Sequence, residues 1–169
     1  MKFFDVLPQL AENELLKRGV MTDELLYCVK ADLDGEGGYV DVYITFTKDT
    51  LCILRGYEEY GKMKRGQKRK NLVSFTVSGY DEYPIDSIEE MYVDRYANSA
   101  RLMIKDKSGK EFPIARFSLG FADKFEKFSQ RVNCTAKNEP IDDRLLEGVK
   151  THCPTCGEPY PCLLYTSPS

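Results

Sequence analysis

No stretch of the sequence approaches the roughly eighteen uninterrupted apolar residues that a membrane-spanning helix requires. The first residues, MKFFD, also lack the apolar segment of a secretory signal peptide. These two absences predict that the segment in hand is soluble and cytosolic in character.

Histidine is nearly missing as well, since His152 is the single one in the chain. Histidine is the side chain most often used in general acid–base catalysis, so its scarcity removes most arrangements of an enzyme active site. The acids Asp86, Glu89 and Glu90 lie at a turn or a strand end, where carboxylates are normally solvated. We therefore expect no catalytic residue in this chain.

An excess of positive charge is also absent. Lysine and arginine number 24 against 27 aspartate and glutamate residues, which gives a formal net charge of -3 and a pI near 5.3. No global field draws such a chain to nucleic acid, which is therefore not an expected partner. Any binding of anions therefore has to come from a local group of positively charged residues.

What the chain does have is enough apolar material for a folded core. It comprises 169 residues, of which 42% are hydrophobic and 12% aromatic. This is typical of a globular domain that needs no disulfide bonds. Cys28, Cys52 and Cys134 lie in or beside apolar segments, so we expect them to be small core residues in a reducing compartment.

The spacing of apolar residues predicts a short N-terminal helix followed by strands. In the segment 1–22 apolar residues recur at helical spacing, with an interruption near Pro8. Further along, alternating β-branched segments are separated by turn sequences such as DGEGG at 34–38 and DKSG at 106–109. We expect about six or seven short antiparallel strands.

One amphipathic helix is predicted to close this series of strands. From Ser118 onward, apolar residues recur at helical spacing with charged residues opposite them. The apolar set is Phe121, Phe125, Phe128 and Val132. The segment 23–137 is therefore predicted to form one β domain with its own capping helix.

This order of elements indicates a mainly β (α+β) fold. Short antiparallel strands followed by a single helix are the layout of a pleckstrin-homology-like (PH-like) domain, a small antiparallel barrel or bent sheet whose open end the helix caps. An open antiparallel sheet with one helix across its face uses the same elements and is the alternative.

A polar connection at 56–70 concentrates positive charge on a predicted loop. Its six cations are Lys62, Lys64, Arg65, Lys68, Arg69 and Lys70. The preceding acids Glu58 and Glu59 favour a solvated hairpin tip, which keeps a long loop in water. The alternative is contact with an anionic surface such as a membrane, because cations gathered on an inter-strand loop bind phosphate groups.

Beyond a linker at 138–150, the segment 151–161 contains the most specific local motif, CPTC. Cys153 and Cys156 are predicted to bind zinc, because two thiols separated by a tight turn present both sulfur atoms to one metal ion. This is half of a zinc ribbon, and a second cysteine pair would complete it.

A redox pair and two ordinary cysteines are the alternatives to a zinc site at this motif. The redox pair is disfavoured because no thioredoxin-like pattern precedes the motif. We expect His152 to be exposed.

The final residues, CLLYTSPS at 162–169, do not continue any pattern of the preceding sequence. They resemble a translated sequencing adapter, so we expect this tail to be non-native and exclude it from reasoning about the fold. Cys162 is then no ligand, the ribbon is incomplete, and the native protein continues beyond Pro161.

Four segments together resemble a known family. They are FFDVLP at 3–8, PIDSIEE at 84–90, the hairpin at 99–112 and CPTC at 153–156. In these segments the chain is similar to the N-terminal region of bacterial ABC transporter ATP-binding/permease proteins. In that family a PH-like cytosolic domain and a small zinc ribbon precede the membrane-spanning exporter core and the nucleotide-binding domain.

The resemblance implies a truncated, non-catalytic regulatory or assembly domain of an ABC-type exporter at the cytosolic face of the cell membrane. The parent protein would couple ATP hydrolysis, with magnesium, to transport, although this chain has no phosphate-binding loop. By resemblance, Cys153 and Cys156 are zinc ligands. The implied partners are the rest of the transporter, its dimer mate and an anionic membrane surface. The alternative is a free-standing PH-like and zinc-ribbon adaptor that binds protein, lipid headgroups or nucleic acid.

Overall fold

A computed structural model describes residues 5–62, 65–66 and 72–141. The chain divides after Glu139 into two units, and all the elements below belong to the first. The helices are α1 (Gln9–Lys17) and α2 (Ala122–Ala136). The strands are β1 (Tyr27–Asp34), β2 (Tyr39–Phe46), β3 (Thr50–Tyr60), β4 (Leu72–Pro84), β5 (Ile88–Arg95), β6 (Ser99–Asp106) and β7 (Glu111–Ser118).

The seven strands form one antiparallel sheet in the order β4-β3-β2-β1-β7-β6-β5. β1 joins two parts of this sheet, because it pairs along much of its length with β2 but with β7 only through Leu33↔Arg116 and Asp34↔Ala115. The mainly β fold, the seven strands and the two helices confirm the prediction.

The sheet is not closed, so the closed barrel expected from the sequence is wrong. β4 and β5 are its two edges. Between them the chain turns through a short 3-10 helix, Ile85–Ser87. The edge of β5 is occupied instead by α2, whose Asn133 amide hydrogen-bonds the backbone of Met91.

The main core lies between the inner face of the sheet and α2. Phe125 stacks on Phe117 with ring centroids 3.8 Å apart, and Phe128 meets Phe46 edge-on at 5.4 Å. The predicted capping helix is confirmed, with one correction. Phe121 is 51% exposed, because it belongs to a 3-10 turn that precedes α2 and therefore lies off the buried face of the helix.

A second core covers the outer face of β1 to β4. Here α1 contributes Ala11 and Leu15, which pack with Tyr43 and Leu54. β2 and β3 are thus buried on both faces, which explains why their sequences are almost continuously apolar. Cys28 and Cys52 are buried in this second core as predicted, whereas Cys134 is half-buried.

β3 and β4 are longer than the alternation of the sequence suggested. They pair from Thr50↔Pro84 to Tyr60↔Leu72, so the polar connection covers 61–71 rather than 56–70. The ends of these two strands were not recognised in the sequence because they contain glycine and acidic residues, and both residue types are depleted in strands. None of the described helices has the length and apolarity that crossing a membrane requires.

Candidate functional site

Two connections between strands lie at one end of the part of the sheet that β1 to β4 form, which we name the turn end. They are the β1–β2 turn (35–38) and the β3–β4 connection (61–71). The register requires this placement, because Asp41 near the start of β2 pairs with Gly56 in the second half of β3. The β6–β7 turn (107–110) lies elsewhere, since the N–H of Lys107 donates to the C=O of Ser87 at 3.1 Å, just beyond the far end of β4.

The β1–β2 turn and the β6–β7 turn are built in the same way around an aspartate. Oδ1 of Asp34 accepts hydrogen bonds from the backbone N–H groups of Glu36 and Gly38, at 2.9 and 2.8 Å. Oδ1 of Asp106 accepts from the N–H groups of Ser108 and Lys110, both at 3.0 Å. Hydrogen bonds from Ser108 lower the pKa of Asp106. Both carboxylates are therefore engaged inside their own turns.

The cations of the turn end are exposed. Lys62 and Arg65 of the predicted basic cluster lie in solvent, next to the end of β3. Lys107 and Lys110 of the β6–β7 turn are also exposed, but they lie next to Ser87 beyond the far end of β4 and are not part of this surface.

The other predicted site residues lie outside the described part of the chain. They are Lys64, Lys68, Arg69, Lys70, Cys153 and Cys156. Their roles therefore stay predictions.

Exposed tyrosines accompany the cations. Tyr39, the first residue of β2, is 87% exposed, while Tyr57 and Tyr60 of β3 are 53% and 48% exposed. A tyrosine has an apolar ring and a polar hydroxyl, so it suits the boundary between an apolar phase and water. Tyrosine rings beside lysine and arginine are typical of surfaces that contact lipid headgroups.

A buried carboxylate fixes the last part of β3. The side chain of Glu58 is only 1% exposed, and it accepts hydrogen bonds from the hydroxyl groups of Tyr43 and Tyr60. Nζ of Lys30 lies 3.3 Å from it, and the backbone N–H of Glu58 donates to Asp41 at 3.1 Å. These contacts hold β1, β2 and β3 together next to the β3–β4 connection.

The ionisation of this cluster follows from its contacts. Burial raises the pKa of Glu58, but the hydrogen bonds from Tyr43 and Tyr60 and the charge of Lys30 outweigh it and leave the pKa below its ordinary value. Burial and the hydrogen bond to Glu58 raise the pKa of Tyr43. At neutral pH the cluster therefore holds an ionised carboxylate and neutral tyrosines, which is a structural arrangement rather than a reactive one.

Two cavities flank the rings of Tyr83 and Phe112, whose centroids are 5.4 Å apart. Each has a volume of about 270 Å³. One is mainly apolar, with Ile88 and Ile104 in its wall, and the other contains the ion pair of Arg55 with Asp81.

The described residues include no histidine and no group of three metal-ligating side chains that could hold a metal ion. Comparison with protein-family models, with curated proteins and with solved structures gives no match.

Proposed function

We propose that this chain is a non-catalytic, PH-like binding domain that docks on an anionic membrane surface through its turn end. The observation that carries the proposal is the grouping of Tyr39, Tyr57 and Tyr60 with exposed cations where the β3–β4 connection leaves the sheet. Rings of this kind enter the headgroup region while the cations pair with lipid phosphates.

The topology supports the PH-like part of the proposal. A seven-stranded antiparallel series followed by one helix on the inner face is the layout that PH-like domains have. PH-like domains use inter-strand loops of this kind to contact phosphate groups.

Charge also supports a local contact rather than a global one. The chain carries a net charge of -3, so attraction to an anionic membrane has to come from one region. In the neighbouring β1–β2 turn, the carboxylate of Asp34 is engaged by backbone N–H groups. Lys62 and Arg65 are exposed.

Co-sedimentation of the full chain with vesicles tests the proposal. Phosphatidylcholine vesicles that contain phosphatidylserine should bind the chain, and phosphatidylcholine alone should not. Each lysine or arginine near an anionic membrane contributes about 1 kcal/mol, so the double variant Lys62→Glu with Arg65→Glu should reduce binding at least about tenfold. Tyr57→Ser should weaken binding at all salt concentrations, because it removes a ring rather than a charge. Added salt should weaken the binding of the wild-type chain, because it screens the attraction between the cations and the membrane.

A matched double variant controls for net charge. Lys48 in the β2–β3 turn and Lys127 on α2 are also exposed, and changing both to glutamate alters the net charge by the same amount. Binding by this control should stay close to that of the wild type. Equal loss in the two double variants would show a nonspecific effect of charge and would contradict docking by the turn end.

We further propose, from the resemblance in the sequence, that the domain serves as a regulatory or assembly part of an ABC-type exporter. Membrane docking beside a transporter core would orient such a domain. The test is the intact coding sequence beyond Pro161. A second cysteine pair, then several apolar spans and a phosphate-binding loop, would support the exporter, and a stop codon soon after the ribbon would overturn it in favour of an adaptor.

A further inference from the structure

Two arginines stand directly opposite each other on neighbouring strands. Arg101 of β6 and Arg116 of β7 are partners in the β6–β7 register. Partners in an antiparallel pair project from the same face of a sheet, and like charges in this arrangement destabilise it. The inner face at this point holds Ala100 and Leu102, so the arginines lie on the outer face.

Only one of these two arginines has an acidic partner among the described residues. Arg101 donates from Nη2 to Asp94 at 3.1 Å, and its guanidinium lies 4.9 Å from the centre of the Tyr96 ring. No ion pair within the described residues involves Arg116. One guanidinium of the pair therefore has no carboxylate within ion-pair distance.

Both arginines also carry a donor without an acceptor. Nε of Arg101 and Nε of Arg116 are buried and make no hydrogen bond among the described residues. A buried donor without an acceptor is costly, and such groups are uncommon in folded proteins.

The surroundings keep the two guanidinium groups together. Gly37 has a φ of +87°, and a side chain there would begin 3.3 Å from Nη1 of Arg116, so glycine leaves room for this group. The hydroxyl of Tyr96 donates to Asp94 at 2.8 Å, and this hydrogen bond raises the pKa of Tyr96, while the charges of Arg101 and Arg116 lower it. Both guanidinium groups thus act on the same half-exposed ring.

We infer that Arg101 and Arg116 form a binding site for a carboxylate group. Arg116, which makes no ion pair among the described residues, can pair with one carboxylate, and the planar fork of a guanidinium matches its two oxygen atoms. Asp94 remains paired with Arg101. Its negative charge disfavours phosphate at this site, because phosphate carries more negative charge than a carboxylate does. The site adjoins the β1–β2 turn at Gly37, but it uses none of the tyrosines and cations of the membrane contact proposed above, so either can fail without the other.

Nuclear magnetic resonance of the full chain labelled with ¹⁵N-arginine tests this site, because each Nε–H group gives its own signal. Sodium acetate is the probe, titrated against sodium chloride at equal ionic strength. The Nε–H signals of Arg101 and Arg116 should shift along a saturating curve with acetate. Arg95 is the internal control, because Asp123 and Glu126 already pair with it, and its signal should not move.

Variants separate binding from a purely structural role. Arg116→Gln should weaken acetate binding about tenfold, as judged by the remaining Arg101 signal, because one charge-assisted contact is lost. Without acetate the same variant should be at least as stable as the wild type, since the like-charge pair is removed. Arg116→Lys keeps the charge without the fork and should bind with intermediate affinity.

Three results would overturn the inference. They are no saturable shift at Arg101 and Arg116, an equal shift at Arg95, and a stronger saturable response to sodium phosphate than to acetate. The last would assign the pair to phosphate rather than to carboxylate ligands. The wild-type titration decides these outcomes even if a variant does not fold.

Discussion

The side-chain amide of Asn133 pairs with both backbone groups of Met91. Its Oδ1 accepts from the Met91 N–H at 2.7 Å, and its Nδ2 donates to the Met91 C=O at 2.9 Å. An amide of the last helix thereby takes the place that another strand would have at the edge of β5. The contact attaches α2 to the sheet. It also occupies backbone groups of an edge strand that would otherwise be able to pair with a further strand.

Replacing Asn133 by alanine should destabilise the fold by about 2 kcal/mol, because two backbone groups of β5 lose their partner. Alanine has the higher helix propensity, so a loss of stability would come from the lost contact and not from the helix itself. Denaturant unfolding followed by circular dichroism measures the change. Gln130→Ala, at an exposed position of the same helix, is the control and should have little effect. Equal stabilities of the two variants would contradict the role of the amide.

Glu58→Gln should lower stability at neutral pH by about 2 kcal/mol, because the buried carboxylate binds two hydroxyl groups and Lys30. The pKa of Glu58 in the folded state lies below its unfolded value near 4.5. Its ionised form therefore stabilises the fold above about pH 4.5, and this stabilisation is lost as the pH falls further.

Unfolding of wild type and Glu58→Gln at several pH values checks this dependence. The difference in the free energy of unfolding should be full at pH 7 and should shrink below about pH 4.5. Glu59→Gln changes the neighbouring exposed acid and should show neither effect. A difference that does not vary with pH would mean that the charge of Glu58 is not what stabilises the cluster.

Gly56→Ala should destabilise the β3–β4 hairpin by about 1 to 3 kcal/mol, through overpacking. A Cβ at this position would lie 2.6 Å from the carbonyl oxygen of Thr76 and equally close to the ring of Phe75. Gly120→Ala is the matched control, since nothing lies within 4 Å of its added Cβ. Thermal unfolding should show a lower midpoint for the first variant only, and equal midpoints would contradict the close approach of β3 and β4.

Zinc binding at Cys153 and Cys156 is testable on the product of the intact coding sequence. We expect one zinc ion per chain by elemental analysis, with loss of the metal in the double serine variant of these two cysteines. Cys134→Ser should leave the zinc content unchanged and serves as the control. Undiminished zinc in the double variant would remove the zinc-ribbon prediction.

Much of the fold could be predicted from local patterns. Alternation and turn sequences located all seven strands approximately, and the spacing of Phe125, Phe128 and Val132 correctly predicted the buried face of α2. These signals work because the side chains of one strand or helix face share a fixed period. Local patterns failed at Phe121 and at the ends of β3 and β4, where turn geometry and pairing between strands decide the outcome.

The candidate site was predictable only in part. The basic connection was visible in the sequence because its cations are contiguous, and Lys62 and Arg65 do lie exposed. The exposure of the tyrosines beside them and the burial of Glu58 could not be seen, because each depends on strands that meet from distant parts of the chain.

By itself the sequence determined the class of the fold, the order of its elements and the faces that become core, since these follow from periodicity and turn chemistry within short segments. The tertiary structure alone decided that the sheet stays open, that Asn133 completes the edge of β5 and that Arg101 stands opposite Arg116. The physical reason is register: hydrogen bonding and packing between distant strands select which residues face each other, and no local pattern encodes that choice.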